Sequence, residues 1–280
     1  MKLSPGIRYM LFAVFTFSLM KVFVKTLSHI PVIEVILFRA IISLVISFLL
    51  LKRQQVPVLG KNKPLLIARG VTGAIALTLN FYLIQEIPLA TASTLTYLAP
   101  VFSTLIGVFL VKERVKWIQW FFFITSFSGI LIIQGFDSRI SFIHLSIGIT
   151  TSIFMGLAYN FVRKLNTTEH PLVIIFYFPL VLLPVASIWT ALVWVQPIGM
   201  DWVYLLMVGI TTQIAQFFMT KSYQQAEIST VSILNYLGII FSLLFGFYLF
   251  DETFNLMTYL GMGLVLSGVI LNVVIKNYRR

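Results

Sequence analysis

Four ionisable side chains stand inside or beside apolar sequence near the start of the chain: Lys21, Lys25, Glu34 and Arg39. A charge held in a membrane helix is costly unless it is paired or hydrated, so each is a candidate for function. Ser18, Lys21 and Lys25 follow i, i+3, i+7 spacing, and Arg39, Ser43 and Ser47 follow i, i+4, i+8. Each set therefore lies on one stripe of a helix that faces protein and not lipid. Glu34 falls about 140° around the second helix from Arg39, where it is expected to meet a lysine of the first helix and is the candidate coupling carboxylate. Two chemistries fit Lys21 and Arg39. They give a cavity a positive potential that binds a carboxylate or phosphate, or Arg39 bonds backbone carbonyls and the cations serve only the fold. For Lys25 the preferred reading is a snorkelling side chain at the outer interface.

Polar and aromatic residues recur within the other apolar runs. Asn80 and Tyr82, Ser93 and Tyr97, Tyr159 and Asn160, Gln213 and Gln216, and Ser232, Asn235 and Tyr236 are candidate substrate contacts. Amides, hydroxyls and tyrosines suit an amphipathic metabolite, since rings supply apolar area and polar tips fix orientation. Helix-helix hydrogen bonding, typically under about 1 kcal/mol each, is expected to account for half of them. Ser103/Gly107, Ser242/Gly246 and Gly263/Ser267 have small-xxx-small spacing, which lets helix backbones approach, and Pro100 is expected to kink its helix. Glu113 and Glu252 fall at helix ends, where surface pairing is expected.

The elements that must carry these residues are membrane helices. The chain has 280 residues, 59% of them hydrophobic, 10% charged, with mean hydropathy +0.98, whereas soluble domains carry roughly a quarter charged residues. Its net charge of +11 comes from short basic tracts between apolar runs, which are topology signals and not a nucleic-acid footprint. Apolar runs of spanning length place helices near 7–27, 33–51, 65–84, 91–111, 115–134, 143–163, 171–195, 202–221, 228–250 and 254–275. Lys2, Arg8, Lys52, Arg53, Lys61, Lys63, Lys112, Arg114, Lys116, Arg163, Lys164, Lys221, Lys276, Arg279 and Arg280 then share the side of the termini, against Lys25 and Arg139 opposite. Both termini are expected to be cytoplasmic. Reading 171–195 as re-entrant would lower the count to nine and spoil this asymmetry. With no cysteine and with His29, His144 and His170 solitary, no metal or cofactor is expected, and the motifs of NTPases and metalloproteases are absent, so no enzyme is expected either.

The chain also matches itself at an offset of 139 residues. Gln85 pairs with Gln224, Leu95-x-Tyr97-Leu98 with Leu234-x-Tyr236-Leu237, Phe102-Ser103 with Phe241-Ser242, Gly107 with Gly246, Glu113 with Glu252, and Ser128-Gly129 with Ser267-Gly268. Lys25 pairs with Lys164, whereas Lys21 and Arg39 have the uncharged mates Asn160 and Phe178. The expected architecture is an all-α membrane protein of ten transmembrane helices, built as two inverted five-helix repeats over 1–138 and 139–280. Five spans per half force the copies to enter the bilayer in opposite directions, a device of secondary transporters. Ile239 stands where the first half has Pro100, so the two spans are not expected to bend alike.

The stretch from Ile87-Pro88-Leu89-Ala90-Thr91-Ala92 through Tyr97-Leu98-Ala99-Pro100-Val101-Phe102 to Lys112-Glu113-Arg114, with its counterpart from Ala226 to Glu252, resembles the EamA-type branch of the drug/metabolite transporter superfamily. Ser18-Leu19-x-Lys21-x-x-x-Lys25, Glu34 and Phe38-Arg39-Ala40 are most similar to its acyl-malonyl-condensing-enzyme-like solute-carrier subgroup. The resemblance implies a central cavity between the halves and alternating access, usually in the export direction for bacterial members. The expected function is a secondary transporter in the cell membrane, an exporter or exchanger of a small organic metabolite, anionic or zwitterionic, such as an amino acid or organic acid. A flippase for a lipid-linked head group and a channel are the alternatives. The expected partners are that small molecule and the lipid bilayer, with no nucleic acid, and the protein is a monomer or homodimer.

Overall fold

The structure is a computed structural model that describes residues 5–110, 117–165, 168–225 and 234–278. The described residues form helices and turns only. In chain order these are α1 (Pro5–Thr26), α2 (Val32–Arg53), α3 (Lys63–Glu86), α4 (Leu89–Thr96), α5 (Ala99–Leu110), α6 (Trp117–Phe136), α7 (Phe142–Leu165), α8 (Pro171–Val193) and α9 (Asp201–Gln225). A short 3-10 turn, Leu234–Tyr236, then leads into α10 (Leu237–Phe250), and α11 (Leu256–Tyr278) closes the chain. Seven segments are long and apolar enough to cross a membrane, with α4 and α5 counted as one, and Trp120–Phe136, Leu234–Phe250 and Leu256–Leu271 are shorter apolar helices. The stretch from Pro171 is one 23-residue helix despite Pro179 and Pro184 in its interior.

Helix pairing follows the repeat. The close pairs are α1 with α9, α3 with α7, α2 with α8 and α6 with α11, and α2 also packs on α9 and α3 on α8. Exchanging the halves turns α1/α9 into α3/α7 and α2/α9 into α3/α8, and leaves α2/α8 and α6/α11 unchanged. Residues 139 apart also touch each other. Arg39 lies against the ring of Phe178, Tyr97 packs on Tyr236 with ring centroids 5.4 Å apart, and Ser126 Oγ donates to Val265 O at 3.5 Å. A residue that touches its own repeat mate sits on the axis relating the copies. These three contacts trace that axis through α2/α8, the α4–α5 junction and α6/α11.

The fourth segment breaks at Tyr97 and Leu98, in the turn before Pro100, where the proline has no N–H to give the carbonyl of Thr96, so the expected kink is present. The second half has a 3-10 turn at the matching place, Leu234–Tyr236, with Ile239 in place of the proline. One expectation about packing needs correction. Gly263 faces open space and Ser267 is exposed. The close approach of α6 and α11 is made instead by Gly129, Gly261 and Gly268. Glu113 and Ser232 lie outside the described residues.

Candidate functional site

The repeat brings α2 and α3 of the first half against α8 and α9 of the second, and a cavity of about 400 Å³ opens between α2, α8 and α9. Ser47, Leu50, Ile175, Ile210, Gln213 and Gln216 line it, and the exposed Gln54, His170 and Lys221 stand at its mouth. That mouth lies at the end of the bundle carrying Lys52 and Arg53. The cavity shares Ile175, Gln213 and Gln216 with a smaller recess lined by Arg39, Ser43, Arg69, Phe178, Pro179 and Thr212. Pro179 has no N–H, so the carbonyl of Ile175, four residues earlier, loses its helical donor beside the recess.

Arg39 is the deepest expected site residue in this recess. It is 5% exposed, its Nε donates to Thr212 Oγ1 at 3.2 Å, and its guanidinium lies 5.3 Å from the Phe178 ring centroid and 5.7 Å from that of Phe81. Gln213 Nε2 donates to Ser47 Oγ at 3.1 Å, which holds its amide on the cavity wall, and Gln216 borders both spaces. Arg69 completes the group and is not singled out by sequence. Its guanidinium lies 4.8 Å from the Phe178 centroid and within electrostatic reach of Arg39. A Cβ at Gly73, one turn on, would meet Arg69 Nη1 at 2.6 Å, so that glycine makes room for the arginine. In the sequence Arg69 falls in the first turns of its apolar run, close to Lys61 and Lys63, where a cation reads as part of the basic flank. The signal that marks it is the glycine at i+4, the same helix face.

Lys21, Tyr97 and Tyr236 form a second cluster on the axis. Lys21 Nζ donates to Ser93 Oγ at 2.9 Å and lies 5.4 Å from the Tyr97 centroid, and Ser93 Oγ bonds Ser242 Oγ at 2.8 Å. Lys21 and Arg39 therefore do not share one set of lining residues. Tyr159, 46% exposed, is within electrostatic reach of both Arg69 and Tyr97 and so stands between the two clusters. Asn235 is hydrogen-bonded or otherwise engaged beside Tyr236. Tyr97 Oη packs on the bare Cα of Gly238, where a methyl would overlap it. Gly238→Ala should therefore cost about 2 kcal/mol by overpacking, and adding Tyr97→Phe should recover most of that loss; thermal unfolding of the single and double variants checks both.

Three other candidates lie outside the lining of the cavity and the recess. Asn160 is fully buried, and its Nδ2 donates to Ser103 O and Gly156 O, both at 2.9 Å, so it ties α7 to α5. Asn80 and Tyr82 are partly buried on α3, outside the lining of the cavity and recess, and Asn80 Oδ1 is buried without a partner among the described residues.

The opposite end of the bundle is cross-linked, and here three expectations fail. Lys25 does not snorkel: its Nζ meets Glu252 Oε1 at 2.7 Å and Ile87 O at 2.8 Å, with 14% of the side chain exposed. Glu252 is not at the surface: it is 7% exposed and accepts Leu89 N–H on both oxygens, at 3.0 and 2.8 Å. Leu89 begins α4, whose N-cap Pro88 offers no side-chain acceptor, so a carboxylate from the other half caps that helix and faces its positive end. Glu34 is fully buried and accepts from Val195 N at 3.1 Å, so it meets the end of α8 and not a lysine of α1. Gln85 Nε2 donates to Leu27 O and Ile30 O, while Leu27, Ile30, Ile87 and Leu89 are buried around these bonds. In the loop between α6 and α7, Arg139 binds Asp137 and Thr253 O, and that carboxylate raises the arginine's proton affinity. Among the described residues the bundle is thus open at one end and bonded shut at the other.

The model of the EamA-like transporter family matches residues 4–135 and 143–274. The pseudopaline exporter CntI of Pseudomonas aeruginosa is 29% identical over 96% of this chain and 95% of its own length. Solute carrier family 35 member G1 of mouse is 24% identical over 88% and 72%, and the S-adenosylmethionine uptake transporter of Rickettsia prowazekii is 21% identical over 88% and 85%. A solved crystal structure matches 98% of this chain and 99% of its own with a TM-score of 0.71 at 15% identity, which is a likeness of fold.

Proposed function

Since the chain belongs to the EamA-like transporter family and is a multi-pass cell-membrane protein of the drug/metabolite transporter superfamily, we propose that it is an alternating-access secondary carrier. Its substrate is a small organic metabolite with an anionic or zwitterionic head, and it works by export or exchange. In this reading ten spans form two inverted repeats with both termini cytoplasmic, so the basic end with the cavity mouth faces the cytoplasm. The carrying observation is the asymmetry between the two ends of the bundle: a cavity between the halves at one end, and buried cross-links between the halves at the other. That is the arrangement of an inward-facing carrier. A channel needs a path through both ends, and here the second end holds a buried ion pair. Exchange of state requires the Lys25–Glu252 pair and the Glu252–Leu89 bonds to break while the α2/α8/α9 cavity closes, with the mate contacts on the axis serving as pivots.

The Pseudomonas relative is named for export and the Rickettsia relative for uptake, so the names support transport of metabolites and divide on direction. In proteoliposomes preloaded with a metabolite mixture, labelled substrate should enter by saturable counterflow and stop when the internal pool is removed. Flux that rises linearly with concentration and ignores the internal pool would exclude a carrier.

A further inference from the structure

We propose that Arg39 and Arg69, lining the recess between α2, α3, α8 and α9 where it adjoins the larger cavity, form the anchoring site for an oxyanion with at least two negative charges, a dicarboxylate or a phosphate, whose bulk the cavity accommodates. This rests on the transporter reading and narrows its substrate class.

The two guanidinium groups lie against one ring, that of Phe178, at 5.3 and 4.8 Å. Aromatic contact fixes the plane of a guanidinium while its N–H edge remains to bind. Those edges are idle. Arg39 Nη1 and Arg69 Nε and Nη1 are buried and have no hydrogen-bond partner among the described residues. The inventory of an arginine gives these three nitrogens five N–H groups. Among the described residues the one hydrogen bond Arg39 makes, from Nε, is to the neutral hydroxyl of Thr212.

No described carboxylate answers the charge. Glu34 binds Val195 N–H, Asp137 binds Arg139, Glu169 binds Asn62 N–H, Asp201 binds His29 and Glu252 binds Lys25, while Glu86 and Asp251 are exposed at helix ends and outside the recess lining. Two like charges are therefore held in one buried recess without a counter-ion among the described residues. Such an arrangement disfavours itself unless an anion visits it. A monocarboxylate would leave one positive charge uncompensated; a dianion neutralises both and accepts from both forks. Ser43, Gln213 and Gln216 on the same walls supply neutral hydrogen bonds for the remainder of the ligand. The charge is peculiar to one half, because the repeat mates of Arg39 and Arg69 are Phe178 and Val208.

The test is binding to the full-length protein purified in detergent, by titration calorimetry and thermal shift. The probes are succinate, citrate and inorganic phosphate, with propionate and glycine as singly charged and zwitterionic controls. At least one dianion should bind well above propionate and glycine, and which one binds separates carboxylate from phosphate chemistry. Arg69→Gln and Arg39→Gln should each weaken that binding about 100-fold, and Arg69→Lys, which keeps the charge and loses the fork, should fall between. Gly73→Ala leaves both arginines in the sequence and crowds Arg69; about tenfold weaker binding from that variant carries the test if the glutamine variants do not fold. The proposal is overturned if no dianion binds, if propionate binds as well as succinate, or if the folded variants bind as wild type does. Saturable counterflow of a zwitterion by Arg69→Gln at the wild-type rate would sink the dianion site and leave the carrier reading standing. Absence of saturable counterflow for every solute would remove the carrier itself.

Discussion

Replacing Glu252 with Gln should lower stability by about 3 kcal/mol, the lower end of the cost of breaking a buried ion pair. The glutamine oxygen still accepts from Leu89 N–H, so α4 keeps its cap. Lys25, 14% exposed, keeps its bond to Ile87 O and loses its counter-charge. Most of the loss is then the cost of an unpaired cation, and Lys25→Met added to Glu252→Gln should restore most of the stability by removing that cation. A double-mutant cycle on thermal unfolding should give a coupling of about 2 kcal/mol, and additive losses would show that the two side chains do not interact. Function should respond differently from stability. The double variant, stable but without the ionic cross-link, should open its Lys25 end more readily and show altered exchange rates in liposomes, whereas rates equal to wild type would mean that the pair is not part of the gate.

Both partners of this pair are visible in the sequence. Lys25 stands beside a span and Glu252 matches Glu113 at the repeat offset, but an offset states which positions correspond and not which positions touch. Lys25 and Glu252 are 227 residues apart in opposite halves, and each has nearer partners of opposite charge or a path to water. Only the docking of α4 beside the end of α10 brings the carboxylate over Leu89 N–H. The same reason explains Glu34. Helical geometry rightly turns it away from Arg39, yet whether it then faces α1 or the end of α8 depends on packing that local geometry does not contain.

The fold is legible because its signals are local or periodic. Apolar run length sets most helices to within a few residues, and the constant offset anticipates helix pairings that survive exchange of the halves. Where the expectation slips, it does so at residues whose effect depends on register. Gly263 and Ser267 have the spacing of a close helix contact, but Gly263 faces open space and Ser267 is exposed. The recess is legible in part. Arg39, Gln213 and Gln216 announce themselves as polar groups in apolar runs and do converge. Arg69 is hidden by its place near a basic flank, since a cation a few residues into a span is equally well explained by snorkelling. Lys21 and Arg39 look alike in sequence, as uncompensated cations without charged mates, and the structure separates them by partner: one serine hydroxyl and a tyrosine ring for one, two aromatic rings and a second arginine for the other.

Gly129→Ala should be the most damaging single-methyl change in the α6/α11 contact, costing about 3 kcal/mol. The new Cβ would stand 2.5 Å from Gly261 O and 2.8 Å from Val265 N, and both are backbone atoms that no rotamer change can move. The helices must separate, and the loss spreads along their contact because dispersion falls steeply with distance. Gly263→Ala, two positions from Gly261 on the same helix, is the matched control: nothing lies within 4 Å of its Cβ position. It should be neutral or stabilising by up to about 1 kcal/mol, since alanine is the better helix former. Spacing alone does not separate them, because Gly263 pairs with Ser267 and Gly129 with Thr125 at the same small-xxx-small interval. Thermal unfolding of the two variants in the same detergent decides between them; equal melting temperatures would mean that α6 and α11 are held apart by more than the close glycine contact allows. Because Gly129 and Gly268 are repeat mates whose contacts are exchanged across the axis, Gly268→Ala should cost a similar amount by crowding Ser126 and the Phe122 carbonyl. A contact that repeats itself across the axis fails from either side.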